Sequence, residues 1–60
     1  MNYVEIGSAN IKGHRVSWAN NGHVYVSREL FEKCAKAENI CFKANTPREF
    51  QSICKQLSES

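Results

Sequence analysis

The tripeptide Asn20-Asn21-Gly22 constrains what this chain can fold into more than any other feature. Asn and Gly tolerate positive φ better than other residues, so the three mark a tight reversal between two strands. Burial then selects the register. A two-residue loop at Asn21-Gly22 sets Val16 and Trp18 on the face opposite Val24 and Val26. A three-residue loop, Asn20 to Gly22, pairs Ala19 with His23, Trp18 with Val24 and Val16 with Val26. All four large apolar residues then share one face, and Arg15, Ser17, His23 and Tyr25 take the other. Strand side chains alternate with a period of two, so a slip of one residue would expose that apolar set. The sequence predicts the three-residue loop, with Gly22 left-handed in a bulge.

The segments on either side are less regular. Tyr3-Val4-Glu5-Ile6 alternates and reads as a short strand with Val4 and Ile6 inward; Gly7 to Asn10 reads as a turn. Ile11 and Lys12 resume the strand into the hairpin, with Gly13 as a bend or bulge. Ser27 caps a helix expected to run through about Ala37, with Leu30, Phe31, Cys34 and Ala35 as its apolar stripe. Its outer face carries Glu29 with Lys33 and Glu32 with Lys36, both in the favourable order. After a break at Glu38-Asn39, Ile40 to Ala44 reads as a fourth short strand.

Thr46-Pro47-Arg48-Glu49 is a strong helix start. Thr46 is the N-cap, Pro47 fits the first helical position and Glu49 completes a capping box. Phe50, Ile53, Cys54 and Leu57 follow at core spacing, with Ser58 to Ser60 expected to fray. The expected fold is one α+β domain over residues 1–60. It has a small antiparallel β-sheet, with three N-terminal strands and one later short strand, packed against two α-helices in the order βββαβα.

Composition narrows the chemistry. A chain of 60 residues buries only about 60% of the surface its unfolded form exposes, so it is marginal on its own. The three cysteines, Cys34, Cys41 and Cys54, are odd in number, and Met1 to Glu5 shows neither a basic nor an apolar leader. Reduced thiols in a cytoplasmic protein are the expectation. No apolar stretch reaches the ~18 residues of a membrane span. The cysteines form no Cys-x-x-Cys pair, and His14 and His23 stand near opposite ends of one hairpin. No metal or other cofactor is expected on that spacing. Cys34 and Cys54 lie in apolar helix stripes, where thiols are inert, and Cys41 is the more accessible. No Gly-rich phosphate loop and no Asp are present, so an enzyme is not the expected class.

Recognition by a surface remains. The outer face of the hairpin offers Arg15, His23 and Tyr25 with Lys12 in support, Ser17 between them and His14 at the base. These basic and aromatic groups could bind a protein or lie along nucleic acid, DNA or RNA. The net charge of +2 is mild for a dedicated nucleic-acid binder. The expected function is therefore a small non-catalytic regulatory or inhibitory accessory protein acting on a protein partner, of the kind common in phages and other mobile elements. Nucleic-acid binding through the same face is the alternative. An open sheet edge, at Tyr3 to Ile6 or at Ile40 to Ala44, could also pair with a second copy.

Gly22-His23-Val24-Tyr25-Val26-Ser27-Arg28-Glu29-Leu30 resembles part of the AbrB/MazE-type swapped-hairpin regulators, in which a glycine turn and an alternating strand lead into a Pro-x-Glu-Leu helix start. Ser27 stands where that family has proline, and Cys34-Ala35-Lys36 replaces the hydrophobic-glycine step after its helix. The helix from Pro47 to Leu57 has no counterpart there. The resemblance implies a dimeric DNA-binding fold with Arg15 and Arg28 as contacts.

Overall fold

In a computed structural model describing residues 3–60, the chain forms a three-stranded antiparallel sheet, β1 (Glu5–Ile11), β2 (His14–Ala19) and β3 (Val24–Tyr25). Two helices follow, α1 (Arg28–Lys33) and α2 (Pro47–Glu59), with a 3₁₀ turn at Ala37–Asn39 between them. The strands lie in the order β1-β2-β3. The domain is α+β as expected, but the described residues form three strands rather than four.

The hairpin register is the one burial selects. Trp18 pairs with Val24 and Ser17 with Tyr25. The Ala19 N–H donates to the His23 carbonyl at 3.0 Å, closing a loop of Asn20, Asn21 and Gly22. Gly22 has φ 91°, the left-handed conformation that an L side chain rarely takes. The Asn21 side chain accepts from the His23 N–H and pins the turn.

The first strand departs from expectation. Gly7 to Asn10 is not a turn but the middle of β1, which runs unbroken for seven residues. Reversal comes instead at Lys12-Gly13, with φ 53° and 83°, a two-residue turn whose handedness suits the strand twist. Asn10 supports it by accepting from the Gly13 N–H. An irregularity between Glu5 and Gly7 shifts the register. Val4 and Ile6, expected inward, are consequently 65% and 52% exposed. The inward positions of β1 are Gly7, Ala9 and Ile11, opposite Trp18, Val16 and His14. Gly7 is small for a reason: a Cβ there would lie 3.0 Å from the Trp18 ring.

Helix α1 stops at Lys33, well short of Ala37. Its N-cap is Ser27, whose hydroxyl accepts from the Leu30 N–H. Beyond Cys34 the chain tightens into i→i+3 bonds, Ala37 to Cys34 and Asn39 to Lys36. The Lys36 N–H, which a longer helix would turn inward, donates to the Ser60 hydroxyl instead. Shortening leaves Phe31 39% exposed and Ala35 exposed, so neither joins the core as expected, whereas Ala37 is buried. Arg28 pairs with Glu32; the expected Glu29–Lys33 and Glu32–Lys36 pairs are not among the ion pairs of the described residues.

Residues 40–44 also differ from expectation. They make a single antiparallel bridge, His23 with Lys43, rather than a fourth strand. Val24 N–H donates to Phe42 and Ala44 N–H to Gly22. Pairing ends there because β3 is two residues long and Ser27 already begins α1. Ala44 is fully buried, and its carbonyl accepts from the Trp18 indole N–H at 2.8 Å.

Helix α2 begins as its sequence dictates. The Thr46 hydroxyl accepts from the Glu49 N–H, and the Glu49 carboxylate takes the Asn45 N–H and the Thr46 hydroxyl. Phe50, Ile53 and Leu57 are buried, with Cys54 partly so. Ser58 and Ser60 do not fray: the helix holds to Glu59, and the Ser60 carbonyl accepts from the Lys12 ammonium. One core results, joining Ile11, Val16, Trp18 and Val24 of the sheet to Leu30, Cys34 and the α2 stripe.

Candidate functional site

The three strands leave one face of the sheet facing away from the helices. The pairs Ser8–Ser17 and Asn10–Arg15 alternate with the inward rows, and Ser17 pairs onward with Tyr25. Ladder geometry puts such partners on the same face. Of the four expected site residues, this face brings together Arg15, His23 and Tyr25. It does not include Lys12. The left-handed turn carries that side chain toward the helix side, where its ammonium lies 4.0 Å from the Cys34 Sγ and bonds to Ser60.

At one end of the face is an aromatic cluster. Tyr25 is 41% exposed and stacks on Tyr3, ring centroids 5.1 Å apart and 18° from parallel. His23 sits 6.2 Å from Tyr25 in a tilted arrangement. The Asn21 amide donates to the Tyr25 hydroxyl at 3.2 Å, which fixes the tip of the ring. Tyr3 is held because Val4 and Asn20 exchange two hydrogen bonds, main chain to side chain and main chain to main chain. Sequence reasoning missed Tyr3. The signal was present in the Asn20 side chain, whose acceptor has no other task in a turn that Gly22 already closes.

At the other end, Arg15 is not a free cation. Its guanidinium donates to the Glu5 carboxylate at 2.5 Å, and both side chains are solvated. The Ser17 hydroxyl, and then the charge and hydrogen bond of Arg15, hold the Glu5 carboxyl below the usual carboxylate range against an opposing contribution from desolvation. A depressed folded pKa stabilises the fold above the pKa of the unfolded chain, and that contribution fades as pH falls through the folded value. A ¹³C titration of the Glu5 carboxyl should show a midpoint below that of an ordinary Glu. Ser17→Ala should raise it, and an unmoved midpoint would remove the Ser17 contribution.

His14 faces the helices, not the outer face. Its Nε2 lies 3.1 Å from the Lys33 ammonium and its Nδ1 3.3 Å from the Ser27 hydroxyl. An ammonium can only donate, so in the Lys33 contact Nε2 is the acceptor. Arg28 pairs with Glu32 on α1.

All three cysteines are free thiols: Cys34 is buried, Cys54 half-buried and Cys41 exposed. Burial pushes the Cys54 thiol upward. Cys34 donates to the Leu57 carbonyl, a structural use of the thiol. Among the described residues no group of three or more His, Cys, Asp or Glu is placed to hold a metal ion, and no helix is long and apolar enough to cross a membrane. Comparison with protein-family models, with curated proteins and with solved structures gives no match for this chain.

Proposed function

We propose that this domain is a non-catalytic regulatory or inhibitory module that binds a protein partner through the outer face of its sheet. The contacts are Tyr25, stacked on Tyr3, with His23 beside it and Arg15 across Ser17. The stacked tyrosine pair carries the reading. Two rings fixed by a turn and by the Asn21 amide offer apolar area with little entropy left to lose.

Nucleic acid is the alternative, since exposed aromatic rings also stack bases. Charge argues against it. The Glu5 carboxylate reaches Arg15 on the same face and neutralises it, and Lys12 is drawn off to the helix side. A phosphate backbone would meet a carboxylate where it needs cations.

Titration of ¹⁵N-labelled protein with mixed short DNA and RNA at low salt should leave the amides of Arg15, His23 and Tyr25 unshifted. A photo-crosslinker at position 23 should capture a protein, and Tyr25→Ala should abolish capture without loss of fold. Shifts confined to those amides that reverse with salt would replace this reading by the nucleic-acid one.

A further inference from the structure

The two edges of the sheet are unequal. The β3 edge is covered where residues 42–44 bond to Gly22 and Val24. Among the described residues, β1 has β2 on one side and no strand on the other. The two-residue turn at Lys12-Gly13 makes Ile11–His14 the hydrogen-bonded closing pair. Antiparallel alternation from that pair gives Ala9–Val16 and Gly7–Trp18 as bonded pairs too. The N–H and C=O groups of Ser8 and Asn10 therefore point away from β2, along the open edge.

Natural edges are blunted by proline, by charge or by a bulge. Between Ile6 and Ile11 this edge has neither proline nor charge. Its irregularity lies at the Glu5 end, clear of Ser8 to Ile11. Beside it on the helix side is an open groove of about 430 Å³, lined by Ile6, Gly7, Ala9, Trp18, Phe50 and Cys54. Ile6 stands in that groove 52% exposed.

We infer that β1 is a strand-addition site and that its occupant is β1 of a second copy, antiparallel, with the two-fold axis between the Ser8 residues. Ser8 exchanges both backbone bonds with the partner's Ser8. Gly7 faces the partner's Ala9, small against small, so the backbones approach without a clash on the helix side. A two-fold axis normal to the sheet makes the seam antiparallel, keeps the helices of both copies on one face and closes the assembly at two copies. The result is a continuous six-stranded sheet with the apolar grooves meeting over its centre. It is independent of the outer face, which stays solvated.

Sedimentation equilibrium of the whole chain from about 10 μM to 1 mM should show a monomer–dimer equilibrium, a range in which weak strand pairing is visible. Exchange of the Ser8 and Asn10 amides should slow as concentration rises. Ser8→Pro removes an N–H that serves only the edge, so dissociation should rise roughly thirtyfold, the scale of two net hydrogen bonds. Ile6→Lys leaves the backbone intact and should weaken the dimer too; Tyr25→Ala should not. A monomer at every concentration would overturn the inference, as would a dimer indifferent to both Ser8→Pro and Ile6→Lys.

Discussion

Trp18→Ala should leave this domain largely unfolded at room temperature. The ring is 8% exposed and stacks on Phe50 with centroids 5.3 Å apart. Truncating a buried Trp costs about 3–5 kcal/mol. A chain of 60 residues has a total stability of roughly 3–9 kcal/mol, so the loss takes up much or all of it. Two effects are combined in that number, and a second variant separates them. Trp18→Phe keeps a ring against Phe50 but leaves the buried Ala44 carbonyl without its donor. An unpaired buried acceptor costs about 1–3 kcal/mol. Urea unfolding followed by far-UV circular dichroism should rank wild type, Trp18→Phe and Trp18→Ala in that order. Equal stability for wild type and Trp18→Phe would show that the indole bond is worth nothing net.

Leu57→Ala should cost about 2–5 kcal/mol, lowering the melting temperature on the order of 10–30 °C. Leu57 is fully buried in the last turns of α2, and its carbonyl accepts from the Cys34 thiol and the Ser60 N–H. Cys54→Ala, one turn earlier and half-buried, should cost about 1 kcal/mol or less. Similar losses for the two would mean that the end of the helix is not docked as described.

The hairpin and both helix starts were legible because each is encoded locally. Asn20 to Gly22 can close only one loop that puts Val16, Trp18 and Val24 on one side. Ser27, and Thr46 with Pro47 and Glu49, announce their helices with caps. What was not legible was decided at a distance. Gly7 to Asn10 looks like a turn, since Gly, Ser and Asn favour turns, yet Gly7 is there to admit the Trp18 ring. Propensity yielded to packing. Helix α1 carries no stop signal at Cys34; it ends because Cys34, Lys36 and Ala37 take partners elsewhere, on α2 and in the 3₁₀ turn. Residues 40–44 have the alternation of a strand but only a two-residue neighbour to pair with. On the outer face, Arg15, His23 and Tyr25 could be read from period two, whereas Tyr3 and the Glu5 pairing depend on how the chain enters β1.

The indole bond to Ala44 also sets an order of events. Both hairpin turns are local and can close within microseconds. Trp18 and Ala44, by contrast, are separated by 26 positions, and the loop between them must be ordered before the ring finds its acceptor or Phe50. Closure of such a span is entropically dearer and slower than forming either turn. The only tryptophan in the chain rests on Gly7 within the sheet, but it gains its indole acceptor and Phe50 only with the arrival of the C-terminal third. In a stopped-flow experiment its emission would trail the far-ultraviolet signal wherever the two steps separate in time.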